Sequence, residues 1–171
     1  MIELRRLRRV SLGEMLVVEF ESEQTLAYQV QEIVYAERLT DRSDVEREVQ
    51  VYRRLLPGPR RLTATLFVEL DDPRRIRQEL ARLRGIQHAV RIEAGDHVVA
   101  GVEIPAPDEE PGGDTVTVHL LAFDFPDRAR AAFLDASTPA RVLVDHPDYA
   151  WAASLDGALR QVLAGDLAEA N

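Results

Sequence analysis

The chain has 171 residues, of which 46% are hydrophobic and 30% charged, and its formal net charge is -9. This composition is ordinary for a soluble globular domain, and the negative charge disfavours a nucleic-acid partner because it repels phosphate. Cysteine and lysine do not occur, which excludes disulfides, thiolate metal ligands, cysteine nucleophiles, Schiff-base chemistry and P-loop hydrolysis.

The length of the chain and the lack of a recognisable targeting segment are typical of a single soluble domain. A chain of this length is close to the usual size of one domain, so we expect residues 1–171 to form a single α+β domain. No apolar run approaches the roughly 20 residues that span a bilayer, and the N-terminus shows no signal-peptide stretch. The sequence therefore predicts a cytoplasmic protein without a membrane partner.

The N-terminal part is expected to hold a basic segment, one strand and two helices. The cluster Arg5, Arg6, Arg8 and Arg9 indicates a solvated helix or arm. Leu16, Val18 and Phe20 alternate onto one face, which predicts a strand over Leu12 to Phe20. Helices are predicted over two further segments, which are Gln24 to Leu39, capped by Ser22, and Ser43 to about Leu56, where Ser43-x-x-Glu46 fits a capping box.

The remainder repeats a strand–helix–strand pattern. The first unit is a strand over Leu62 to Leu70, a helix from Asp71-Asp72-Pro73 to about Arg84, and a strand over His88 to Glu93. The second is a strand over Thr115 to Phe125, a helix from Pro126 to about Leu134, and a strand over Arg141 to Asp145. Between and after them lie an expected strand over Val98 to Ile104, a mobile loop over Pro105 to Asp114 and a helix over Leu155 to Ala168. The two βαβ-like halves predict a mainly antiparallel, ferredoxin-like sheet, preceded by the N-terminal strand and helical segment.

Several local strings resemble an uncharacterised bacterial family, domain of unknown function 3501. The strings are Phe20-Glu21, Thr25-x-x-Tyr28-Gln29-x-Gln31-Glu32, Ala36-Glu37-Arg38, Tyr52 with Leu55-x-Pro57, Ala64-Thr65-Leu66 through Glu69, Leu83-x-Gly85-Ile86, Val118-His119-Leu120 through Phe123, and Asp145-His146-Pro147 before Tyr149. Arg53 and Ala122 stand where the family usually has Asn and Arg. Relatives are often encoded near rubrerythrin-like and iron–sulfur oxidoreductase genes, so the resemblance implies an association with redox or iron metabolism.

Two histidines on predicted strands are candidate metal ligands. His119 shares an apolar strand face, and His146 ends a strand at a rim, where ligands often bind. Pairing of the two central strands would bring His119 beside Glu69. Imidazoles with carboxylates suit iron, manganese or zinc, so His119, His146 and Glu69 are predicted to converge with Glu32 on one metal site. The alternative is that both histidines only hydrogen-bond within the fold.

The first long helix carries a polar and aromatic stripe. Tyr28, Glu32 and Tyr35 recur at helical spacing, and Arg38 lies near them. We expect a pocket between this helix and the central sheet in which Tyr28, Gln29 and Glu32 bind a cofactor or small ligand. Three functions stay open: a metal or small-ligand binding accessory protein, a subunit that uses the stripe to bind a second copy or a redox-protein partner, and an acid–base enzyme that uses His119 and Glu69.

Overall fold

The structure is a computed structural model that describes residues 2–70, 72, 74–105 and 117–168. The described helices are α1 (Ile2–Leu7), α2 (Glu23–Ala36), α3 (Arg42–Arg53), α4 (Ile76–Arg82), α5 (Asp127–Leu134) and α6 (Gly157–Ala168), with a 3₁₀ turn over Ile86–Ala89. The described strands are β1 (Arg9–Leu12), β2 (Leu16–Phe20), β3 (Arg61–Val68), β4 (Val90–Ala94), β5 (His97–Ala100), β6 (Val102–Glu103), β7 (Val118–Asp124), β8 (Ala140–His146) and β9 (Tyr149–Ser154). The predicted α+β class is confirmed.

The strands form two antiparallel sheets. The first sheet has the order β1-β2-β3-β7-β6, and the second has the order β5-β4-β8-β9. The predicted pairing of the two longest apolar strands is confirmed, since β3 and β7 are antiparallel neighbours inside the first sheet, with Leu66 opposite His119.

The ferredoxin-like arrangement is not what the strands adopt. Each predicted βαβ half begins in the first sheet, with β3 or β7, and ends in the second, with β4 or β8. The apolar faces of both sheets contribute to one cluster of buried residues, for example Leu66 and Phe123 from the first sheet and Ile92 and Val142 from the second. Two small sheets that share one core bury the same alternating residues as one large sheet would, so periodicity alone does not distinguish them.

The chain passes between the sheets at Gly101. A Cβ at this position would lie 3.0 Å from the ring of Phe123 and 3.1 Å from the carbonyl oxygen of Val90. Only glycine allows so close a backbone approach without displacing its neighbours. The single strand predicted over Val98 to Ile104 is therefore divided into β5 and β6, which belong to different sheets.

Several element boundaries also differ from the prediction. The strand predicted over Leu12 to Phe20 is the hairpin of β1 and β2, which turns at Gly13, where φ is +73°. Strand β9 pairs with β8 and was not predicted. The predicted loop over Pro105 to Asp114 lies outside the described residues except for Pro105.

The N-termini of the two long helices differ in their capping. Ser22 caps α2 as predicted, because its hydroxyl accepts from the Thr25 N–H while the Thr25 hydroxyl accepts from the Ser22 N–H. Helix α3 instead begins after Asp41, so Ser43 lies inside the helix.

Across the described parts of the chain, no helix combines the length and apolarity needed to cross a membrane.

Candidate functional site

Two buried carboxylates lie on the face of the first sheet that faces away from the shared core. Leu16, Val18 and Phe20 point into the core, so the alternating Glu19 and Glu21 point to the opposite face. Each glutamate is only 1% exposed. Charged side chains are rarely buried so completely unless they are paired or bind a ligand, so this pair marks a candidate site.

Glu21 is held by donors from α2 and β3. The hydroxyls of Thr25 and Thr65 each donate to its carboxylate at 2.6 Å, and the Gln29 amide donates to both oxygens at 3.1 Å. Thr25 and Gln29 are four residues apart on α2, so they share the face that lies over the sheet. The Ser22 cap starts the helix in the register that brings both side chains to Glu21.

Glu19 is compensated by arginines rather than by hydroxyl groups. Its Oε1 accepts from Arg5 Nε at 2.6 Å, whereas its buried Oε2 has no hydrogen-bond partner among the described residues and lies 4.0 Å from Arg9 Nη1. The hydrogen bond to Glu19 raises the pKa of Arg5, and the negative charges of Glu19, Glu21 and Glu32 raise it further against the opposing effect of burial. We call Glu19, Glu21 and Glu32, together with Arg5, the acidic site.

Arg8 is not the solvated residue that the basic N-terminal cluster suggested. It is 4% exposed, it forms a two-pronged ion pair with Asp166 of α6 at 2.7 and 3.0 Å, and it donates to the Glu21 carbonyl. Arg8 therefore ties the end of α1 to the last helix and to β2. This anchor fixes the position from which Arg5 reaches the acidic site.

The three predicted cofactor-binding residues lie on α2 but differ in their surroundings. Gln29 is half-buried and bonds Glu21, as described above. Tyr28 is also half-buried, whereas Glu32 is exposed and acts on Arg5 only through its charge. From α3, Tyr52 faces the same region: burial raises the pKa of its phenol, and the charges of Glu48, Glu21 and Glu37 add to that shift.

The structure does not bring the four predicted members of the metal site together, and three of them, His146, Glu69 and His119, have separate partners. His146 donates from Nε2 to the Arg84 carbonyl at 3.0 Å, and its Nδ1 accepts from the Asp148 N–H at 3.2 Å. Glu69 forms an ion pair with Arg9. Within the described residues, no three carboxylate or imidazole groups are placed to hold a metal ion.

His119 also has a carboxylate partner other than the predicted one. Its Nδ1 lies 2.8 Å from Glu103 Oε1, and the other Glu103 oxygen accepts from Gln87 at 3.2 Å. The antiparallel register places Leu66 opposite His119, three residues before Glu69. The predicted pair of His119 with Glu69 is therefore replaced by a pair with Glu103, which is on the neighbouring strand β6.

An open cleft lies at the end of the first sheet, away from α2. Its volume is about 400 Å³, and its lining residues are Glu14, Met15, Glu69, Leu70, Asp72, Arg75, Glu79, Arg82, Tyr149 and Trp151. Of the predicted site residues, Glu69 belongs to this cleft. Neither the aromatic pair from β9 nor the charged residues at and before α4 were predicted to take part in any site.

The comparisons agree with the family assigned from the sequence strings. The profile of a family described as protein of unknown function, DUF3501, matches residues 1–167. The chain belongs to the DUF3501 family. A crystal structure of a protein of unknown function from Burkholderia pseudomallei K96243 resembles this DUF3501 protein with a TM-score of 0.87 and 34% identity, over 97% of this chain and 86% of the other. No curated protein matches.

Proposed function

We propose that this DUF3501 protein is a cytoplasmic accessory protein of bacterial redox or iron metabolism that binds a small cation, a metal ion or an amine, at the acidic site. The observation that carries the proposal is the pair of buried carboxylates Glu19 and Glu21, of which Glu19 has one oxygen without a hydrogen-bond partner in the described structure. The family context supports the metabolic setting. No catalytic role is assigned.

The charges around the site favour a positive ligand. The charges of Glu19, Glu21 and Glu32 act on the guanidinium of Arg5. Burial raises the pKa of Tyr52, and the charges of Glu48, Glu21 and Glu37 add to that increase. Buried carboxylates are costly unless a cation or several hydrogen bonds compensate them. Arg5 supplies that cation from a partly exposed side chain. A ligand that displaces Arg5 would meet the same carboxylates.

The oxygen ligands of the site also restrict the choice of metal ion. Carboxylate oxygens suit manganese or magnesium better than zinc, which favours nitrogen and sulfur ligands. Of iron, manganese and zinc, manganese therefore fits the acidic site best. Since the described carboxylates supply too few ligands for a closed cage, water would complete the coordination.

The proposal is tested by the metal content of untagged protein and by calorimetric titration. The titrants are Mn²⁺, Fe²⁺ under argon, Zn²⁺ and methylguanidinium, which resembles the head of Arg5. We expect at least one of them to bind the wild-type protein and the Glu19→Gln variant to weaken that binding about tenfold or more. Glu46→Gln is the matched control, because Glu46 is an exposed carboxylate on α3 that pairs with Arg42. If no titrant binds, or if both variants weaken binding equally, the proposal fails.

A second candidate function is an interaction subunit that uses α2 and α3. No residue of α3 is buried, and Tyr35 on α2 is 87% exposed. The predicted stripe is thus accessible at Glu32, Tyr35 and Arg38, as a dimer or partner interface requires. Sedimentation velocity of the wild-type protein and of Tyr35→Ser tests this candidate: a dimer that the substitution dissociates supports it, and a monomer at high concentration counts against self-association.

A further inference from the structure

The cleft has a rigid aromatic wall. Trp151 packs against Gly13, since a Cβ on Gly13 would lie 3.2 Å from two atoms of the indole ring and would overlap the Tyr149 hydroxyl. That hydroxyl donates to the Leu12 carbonyl at 2.5 Å and accepts from the Met15 N–H at 3.2 Å. The turn between β1 and β2 is thereby pinned to β9. Trp151 nevertheless stays 53% exposed, which is unusual for so large an aromatic side chain.

The charges of the cleft are divided between two sides. On α4, the side chain of Glu79 is only 7% exposed, and it is shared by Arg75 at 2.8 Å and Arg82 at 3.2 Å, which leaves one positive charge in excess. On the turn beside Trp151, Glu14 has no ion-pair partner within the described residues, so one negative charge is in excess there. The other two lining carboxylates, Glu69 and Asp72, are neutralised by neighbouring arginines.

We propose that the cleft binds a small zwitterion that carries an ammonium group and a carboxylate. The ammonium group would lie against the exposed ring of Trp151 and near Glu14, where a cation–π contact and a carboxylate both favour a positive charge. The carboxylate would face Arg75, whose exposed guanidinium group is suited to a planar oxygen pair. Arg82, which also donates to the Asp148 carbonyl at 2.9 Å, would add its positive charge. Both arginines pair with the buried Glu79, which places them side by side. The cleft shares no lining residue with the acidic site, so this proposal goes beyond the proposed function.

Trp151 makes the proposal directly measurable, because it is the single tryptophan of the chain. Its fluorescence is titrated with ω-trimethylammonio carboxylates that contain one, three or five methylene groups. Each is compared with its methyl ester, which lacks the negative charge, and with the analogue in which carbon replaces the quaternary nitrogen. We expect saturable fluorescence change with at least one zwitterion and binding about tenfold or more weaker for both analogues. No saturable change, or an equally tight ester and zwitterion, overturns the proposal.

Matched substitutions assign the binding to this cleft. Glu14→Gln and Arg75→Gln should each weaken zwitterion binding about fivefold or more. Glu46→Gln and Arg47→Gln are the controls, since both residues lie on α3 and are exposed. Glu19→Gln should leave the titration unchanged, which keeps this result independent of the acidic site. Equal effects of the cleft variants and their controls would refute the assignment.

Discussion

Removal of the Glu21 carboxylate should destabilise the fold mainly through the hydroxyl of Thr65. In Glu21→Ala, the Thr25 hydroxyl can donate instead to the Ser22 carbonyl, which lies 3.0 Å away, and the half-buried Gln29 can bond water. Thr65 is 4% exposed, and its hydroxyl donates to Glu21. An orphaned buried hydroxyl costs about 1–3 kcal/mol, and each lost hydrogen bond to a charged group costs about 1.5–3 kcal/mol. We therefore expect a loss of about 3–5 kcal/mol.

A double-mutant cycle isolates this effect. Thr65→Val keeps the shape of the side chain and removes the donor, so it should lower the free energy of unfolding by about 1.5–3 kcal/mol. In the double variant no hydroxyl is orphaned, and the total loss should be smaller than the sum by about 1–3 kcal/mol. Urea unfolding, followed by circular dichroism, measures all four proteins.

Two results would contradict this reasoning. If the two losses add to within about 0.5 kcal/mol, Glu21 and Thr65 are not energetically coupled. The control is Glu32→Ala, an exposed substitution on α2 that should change the free energy of unfolding by no more than about 0.5 kcal/mol. A loss for Glu32→Ala as large as that for Glu21→Ala would show that charge in this region, and not the buried network, sets the stability.

Three further predictions concern the core, the last helix and the acid response. Phe123→Ala should cost about 3–5 kcal/mol in urea unfolding, because Phe123 is 0% exposed in the shared core; a loss below about 1 kcal/mol would contradict that burial. Arg160→Met should cost about 2–3 kcal/mol, because the Arg160 guanidinium donates to the Phe133 carbonyl at 2.6 and 2.9 Å; unchanged stability would count against this contact. Hydrogen bonds from Ser137, then Thr138, lower the pKa of Asp135, so its contribution is present above the unfolded pKa of about 3.9 and is lost as the pH falls. Asp135→Asn should therefore flatten the acid limb of the stability curve, and an unchanged limb would refute this.

The pairing of β3 with β7 could be predicted because both strands carry long apolar alternations. The division into two sheets could not, since the alternation of β4 and β8 is equally compatible with one sheet. The interruption at Gly101 depends on the approach of Phe123, which is a tertiary contact. A glycine within a predicted strand often marks such a close approach, so Gly101 was the one feature of the sequence that indicated the interruption.

The sequence predicted that polar residues of α2 face the central sheet, but it did not predict the buried residues that they contact. Gln29 was expected there, whereas Glu19, Glu21 and Arg5 were not assigned to it. The available signal was the alternation of glutamate with Val18 and Phe20 on one strand, which places two carboxylates on a single face. The prediction that His119 and His146 bind a metal failed to anticipate their hydrogen-bond partners. Each histidine bonds a group far from it in the sequence, and such a tertiary contact cannot be recognised from the spacing of residues.

The central claim, that the acidic site binds a cation in place of Arg5, is tested most directly by Arg5→Gln. If Arg5 competes with the ligand, its removal should tighten calorimetric binding of Mn²⁺ or methylguanidinium about tenfold, because the site no longer has to release its own cation first. Arg6→Gln is the matched control, since Arg6 is exposed on the same helix. The account predicts tighter binding for Arg5→Gln alone, and unchanged or weaker binding for that variant would contradict it.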